Sequence, residues 1–175
     1  MQYPNQHRDI VRALLNGKFI TDDSPFFDTL QQHDKFYDQF FQATYGYYLE
    51  QPGGYYYLTS QETTENSSRD LLLFLAVLCY EYHTRGKDIV HKMQEGTFLV
   101  QEVVHYIETS SKQDLLKKTQ VMDTRSQGEY KLDIPSFLEQ WAKRNLLQYT
   151  DKERTQFQFK KPIQLFLDTA FALYQ

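Results

Sequence analysis

Apolar positions recur along the chain at two spacings, helical and alternating, and the places where one gives way to the other predict its elements. In residues 7–16, Ile10, Val11, Leu14 and Leu15 form a stripe at i, i+1, i+4 and i+5, a helix that stops at Gly17. Phe19 and Ile20 follow as a short extended piece, and Ser24-Pro25 reads as an N-cap with proline at the first helical position, opening a short helix through Leu30. Residues 34–44 carry Phe36, Tyr37, Phe40 and Phe41 on one wide helical face. Tyr47-Tyr48-Leu49-Glu50, the turn Gln51-Pro52-Gly53-Gly54 and Tyr55-Tyr56-Tyr57-Leu58 then read as a β-hairpin, because aromatics favour strands and glycine supplies positive φ.

Residues 60–68 are polar and read as a linker. Residues 69–84 form the most apolar helix, with Leu71, Leu75, Leu78 and Tyr82 thickened by Leu72, Phe74 and Cys79. Phe98-Leu99-Val100 predicts a strand leading into a helix with Val103, Val104 and Ile107. Leu115, Leu116 and Val121 suggest another helix, and residues 124–129 a polar loop. Residues 135–145 set Phe137, Leu138, Trp141 and Ala142 on one helical face. Leu146–Tyr149, a charged turn and the alternating Gln156-Phe157-Gln158-Phe159 follow as two strands. Pro162 opens a last helix carrying Ile163, Phe166, Leu167 and Ala170.

Residues 34–58 and 135–159 therefore share one pattern of helix, strand, turn and strand. A helix running directly into a two-stranded hairpin is the mark of a winged helix. The expected fold is α+β and mainly helical, with tandem winged-helix domains and two small hairpin wings. Residues 1–60 form the N-terminal winged helix, 61–68 the linker, and 69–175 the central helix and C-terminal winged helix. A generic α+β domain with two unrelated hairpins is the other reading.

Charge separates the two halves. Residues 1–86 hold 6 Lys and Arg against 11 Asp and Glu, whereas residues 87–175 hold 13 against 12. Lys143, Arg144, Lys152, Arg154, Lys160 and Lys161 concentrate around the second hairpin, opposed only by Asp151 and Glu153. If helix end and hairpin converge, this edge suits phosphates held without base readout, with Lys117, Lys118 and Arg125 extending the track. The acidic first half suits protein contact instead. Residues 36–57 hold ten aromatics, and Tyr48, Tyr55, Tyr56 and Tyr57 are the candidate contact residues. Neighbouring strand residues point to opposite faces, so at least one of these tyrosines is expected to face outward.

Catalytic chemistry finds no purchase. His7, His33, His83, His91 and His105 lack a metalloprotease spacing, and no Cys-x-x-Cys pair or phosphate-binding Gly-rich loop occurs. Cys79 sits on the most apolar helix and reads as a small buried hydrophobe. Asp22, Asp23 and Asp28 read as capping and surface residues, not as a metal site. No apolar run approaches the length of a membrane span, no secretory leader pattern opens the chain, and one cysteine forms no internal disulfide. The expectation is a binding protein without cofactors in the cytoplasm. A winged-helix transcription regulator stands as the alternative; it needs base-reading Arg, Asn and Gln on its recognition helices.

The order of DKFYDQFF, YGYYLEQPGGYYYL, LLLFLAVLCYEYH, GTFLVQEVVHYI and FLEQWAKRNLLQYTDKERTQFQFKKPIQLF resembles MukE and its MksE-type and Wadjet-type relatives from about residue 8 to about residue 172. The resemblance implies a non-catalytic, dimeric, tandem winged-helix subunit of a bacterial condensin-like SMC complex. It implies binding to a MukF-like kleisin beside a MukB-like SMC ATPase, and association with the nucleoid; non-specific contact with double-stranded DNA is expected from the basic residues around the second hairpin. The role is chromosome condensation and segregation, or defence against plasmids. MukE proper carries a long polar C-terminal tail, whereas this sequence stops at Gln175, a departure expected of an MksE-like or Wadjet-like member or of a trimmed chain.

Overall fold

The computed structural model describes residues 3–60, 66–117, 119, 122–126 and 129–174. These divide into two compact units, Met1–Thr63 with Lys143–Asn145, and Thr64–Ala142 with Leu146–Gln175.

The first unit runs α1 (His7–Leu15), β1 (Ile20–Thr21), α2 (Phe27–Gln32), α3 (Asp34–Tyr45), β2 (Tyr48–Glu50) and β3 (Tyr55–Thr59). α2 begins two residues after Pro25. The Ser24 hydroxyl accepts from the Phe26 N–H at 3.3 Å, and its carbonyl accepts from Phe27, so Ser24 closes a turn and is not the N-cap. The sheet order is β1-β3-β2, with Ile20 opposite Tyr56 and Leu49 opposite Leu58. Ile10, Leu14, Ile20, Leu30, Tyr37, Phe41 and Tyr56 form its core. Each such large side chain contributes about 1.5–3 kcal/mol on burial. The Asp38 carboxylate on α3 accepts from Gln42 Nε2 at 3.0 Å and from the Leu49 N–H at 3.3 Å. The exposed strand β2 is thereby fastened to its helix, and one edge N–H is covered.

The second unit runs α4 (Asn66–Thr84), α5 (Ile89–Glu95), β4 (Phe98–Leu99), α6 (Val100–Glu108), a 3-10 turn (Gln113–Leu116), β5 (Met122–Ser126), β6 (Glu129–Leu132), α7 (Ile134–Lys143), β7 (Leu147–Tyr149), β8 (Gln156–Phe159), a second 3-10 turn (Lys161–Ile163) and α8 (Gln164–Tyr174). α4 is central, packed against α5, α6, α8 and the first 3-10 turn, with Leu71, Phe74, Leu75, Val77, Leu78, Cys79 and Tyr82 buried. It starts at Asn66, inside the expected linker. The sheet order is β4-β8-β7, with Phe98 opposite Phe157 and their rings stacked at 5.4 Å.

The two units repeat one local topology. In each, a first strand is followed by helical segments and then by a hairpin, and the last strand pairs between the other two. The second unit departs from this pattern by inserting the β5–β6 hairpin before α7. Of the expected polar loop at 124–129, residues 124–126 and 129 are strand, and 127–128 lie outside the described residues. MDTRS and EYKL carry too little apolar alternation to announce it.

Candidate functional site

The turn between β7 and β8 is held by Asp151. Its Oδ2 accepts from the Thr155 hydroxyl at 2.5 Å and from the Thr155 N–H at 3.1 Å, and its Oδ1 accepts from the Gln156 N–H at 2.9 Å. These bonds, led by the Thr155 hydroxyl, hold the carboxyl below its ordinary pKa. Arg154 adopts φ 56°, and its Nη1 donates to Glu139 Oε2 on α7 at 2.6 Å. The guanidinium also lies 5.5 Å from the centre of the Tyr149 ring. Lys152 is exposed at the tip. Lys160 is half-buried, and its N–H closes the hairpin onto the Leu146 carbonyl at 2.8 Å. Lys161, exposed, begins the 3-10 turn.

Lys143 and Arg144 belong to the first unit, whereas Lys152, Arg154, Lys160 and Lys161 belong to the second. Lys143 is exposed. Arg144 is half-buried: its Nε donates to the Gly17 carbonyl at 3.0 Å, and its own carbonyl accepts from the Phe19 N–H at 2.9 Å. It acts as a structural residue of the first unit. Lys117 is ion-paired with Asp114 one turn away. Lys118 and the side chain of Arg125 lie outside the described residues.

The tyrosine cluster divides. Tyr55 and Tyr56 are 7% and 3% exposed, so neither is available as a contact surface. β3 is the central strand and is covered on both faces. Tyr56 enters the core, and Tyr55 packs beside the Phe19 and Tyr57 rings, 6.1 and 6.0 Å between centroids. Burial raises the phenol pKa of both residues. Tyr57 is half-buried, while Tyr48 on the outer strand is 36% exposed. Tyr3 and Tyr45, which no periodicity singles out, are both exposed and end a row of rings running Tyr3, Phe36, Phe40 and Tyr45 at 6.0–6.2 Å.

In the second unit a cleft of about 290 Å³ is lined by Tyr82, Lys87, Asp88, His91, Lys92 and Glu102. Its charged groups hold helices together. Lys87 Nζ donates to Glu102 Oε1 at 2.7 Å and to Tyr106 Oη at 2.5 Å, and Tyr106 donates to Glu102 at 2.8 Å. Burial pushes the Glu102 carboxyl up, but the Lys87 and Tyr106 hydrogen bonds outweigh it and the net shift is downward. The same bonds raise Lys87. Asp88 caps α5 by accepting from the Val90 and His91 N–H groups. The neighbouring Cys79 is buried, and desolvation lifts its thiol to about 12, the protonated and inert form. Among the described residues no group of three or more His, Cys, Asp or Glu is placed to hold a metal ion, and no helix is long and apolar enough to cross a membrane.

No curated protein matches the chain. The family model of the condensin complex protein MksE matches residues 5–171, nearly the whole length. A match of that extent shows that the chain belongs to the MksE family of condensin complex proteins.

Proposed function

We propose that this condensin-complex subunit is a non-catalytic adaptor of two winged helices, which binds the kleisin through its first unit and touches DNA without sequence preference through the wing of its second. The observation that carries the reading is the repeated topology, a first strand, helices and a hairpin whose last strand is central. The first unit's hairpin presents Tyr48, with Tyr57 half-buried, in an acidic half of the chain that repels phosphate. The second unit's wing carries Lys152, Lys160 and Lys161, side chains of the kind that hold a phosphate backbone. Lys117, Lys118 and Arg125 extend the same chemistry.

The ATPase lies in the SMC partner, and the subunit works as a homodimer on the nucleoid, in chromosome segregation or plasmid defence. Fluorescence anisotropy on two unrelated duplexes at low salt tests the DNA half of this reading. Equal, salt-sensitive binding that Lys152→Glu, Lys160→Glu and Lys161→Glu together abolish is the expected result. Strong preference for one duplex, or binding indifferent to the triple variant, refutes it.

A further inference from the structure

The wing of the second unit is less basic than its sequence suggests. Its tip alternates Asp151, Lys152, Glu153 and Arg154, and α7 brings Glu139 against the one arginine among them. The Arg154–Glu139 pair is 2.6 Å long with side chains 62% and 29% exposed. The backbone beneath it is pinned by the three hydrogen bonds to Asp151, so only the arginine side chain is free to re-aim. A pair this open to water is weakly held, and a phosphate offers Arg154 the same two-pronged acceptor that the carboxylate does.

We propose that Glu139 gates the wing: it occupies the Arg154 guanidinium in the free protein, and DNA engagement requires Arg154 to exchange the carboxylate for a backbone phosphate. Tyr149, under the guanidinium at 5.5 Å, provides a platform the arginine keeps while it swings. Glu139 is thereby a specificity-setting residue. It lowers the affinity of the isolated subunit for any polyanion and leaves binding to those contexts where other contacts help to displace it. Such a gate suits a subunit that is meant to act only within an assembled complex. The inference rests on the reading that this wing contacts DNA, and the experiment separates the two.

The full chain and its Glu139→Gln, Arg154→Gln and doubly substituted variants are titrated with one mixed-sequence duplex by anisotropy over a range of salt. Thermal melts confirm that each is folded. Glu139→Gln keeps size and shape and removes the charge. It is expected to tighten binding several-fold without changing the salt slope, because Arg154 reaches a phosphate in both complexes. In the Arg154→Gln and double variants that contact is lost, and the slope should fall by about 0.9. Wild-type binding that Glu139→Gln leaves unchanged overturns the gate while the DNA reading stands. An equal gain in the Glu139→Gln and double variants also overturns it, since the gain then comes from lost negative charge alone. Absence of binding by wild type and Glu139→Gln alike overturns the DNA reading, and the gate with it.

Discussion

Arg144 and Gly17 are 127 residues apart in sequence, yet the Arg144 Nε donates to the Gly17 carbonyl at 3.0 Å. Gly17 has φ +70°, and a β-carbon there would stand 3.3 Å from the same Nε. The glycine is thus required twice, by its backbone and by the approach of the guanidinium. Gly17→Ala is expected to cost about 1–3 kcal/mol, as left-handed strain adds to displacement of the arginine. Arg144→Lys keeps the charge but loses the planar donor, and should cost about 1.5–3 kcal/mol. Urea unfolding monitored by circular dichroism measures both. Wild-type stability in either variant contradicts this role.

The next residue makes a sharper comparison. Asn145 also has positive φ, 65°, and its Nδ2 donates to the Phe19 carbonyl at 2.9 Å and to Thr21 Oγ1 at 2.7 Å. Asn145→Ala loses both bonds and strains the backbone, whereas Asn145→Gly loses only the bonds. The alanine variant should therefore be the less stable by about 1 kcal/mol, a reversal of the usual order of alanine and glycine. Equal midpoints in urea contradict it.

Two tyrosines of the first unit's hairpin should behave in opposite ways. Tyr48→Glu changes an exposed position and should melt within a few degrees of wild type. Tyr56→Glu places a carboxylate in the core beside Ile20, Tyr37 and Phe41, and should lose cooperative unfolding. Near-ultraviolet circular dichroism with temperature distinguishes them.

The Lys87–Glu102–Tyr106 cluster gives the second unit a signed pH dependence. The Glu102 carboxyl is held below its ordinary value near 4.5, so its stabilisation is present above that pH and is lost as pH falls through the lower folded value. The Lys87 ammonium is raised above 10.5, so its contribution is complete below that pH and fades as pH rises through the higher folded value. Glu102→Gln should flatten the acid limb of a stability–pH curve. An unchanged acid limb counts against this cluster.

Much of the fold is legible in local pattern. The stripes of α1, α3 and α7 follow from helical periodicity, α4 shows as a helix apolar on most sides because it packs against α5, α6, α8 and the first 3-10 turn, and the Pro-Gly-Gly turn marks its hairpin. Three features are not legible, for separate reasons. β5 carries Asp123, Thr124 and Arg125 where an apolar alternation would mark a strand. Tyr55 and Tyr56 are both buried because β3 is covered on two faces, and a run of tyrosines does not distinguish that from one wet face. Arg144, Asn145 and Arg154 read as surface charge or polarity; their partners Gly17, Thr21 and Glu139 lie too far away in sequence to leave a spacing.

The central proposal is that a kleisin recruits the subunit through its first unit. Sedimentation velocity of the purified chain mixed with the kleisin of its complex tests it directly. A stable heteromeric species is expected, retained when Lys152, Lys160 and Lys161 are changed to Glu and lost with the folded Tyr48→Glu variant. Separate sedimentation of the two wild-type proteins at micromolar concentration, or a complex indifferent to Tyr48→Glu, contradicts it.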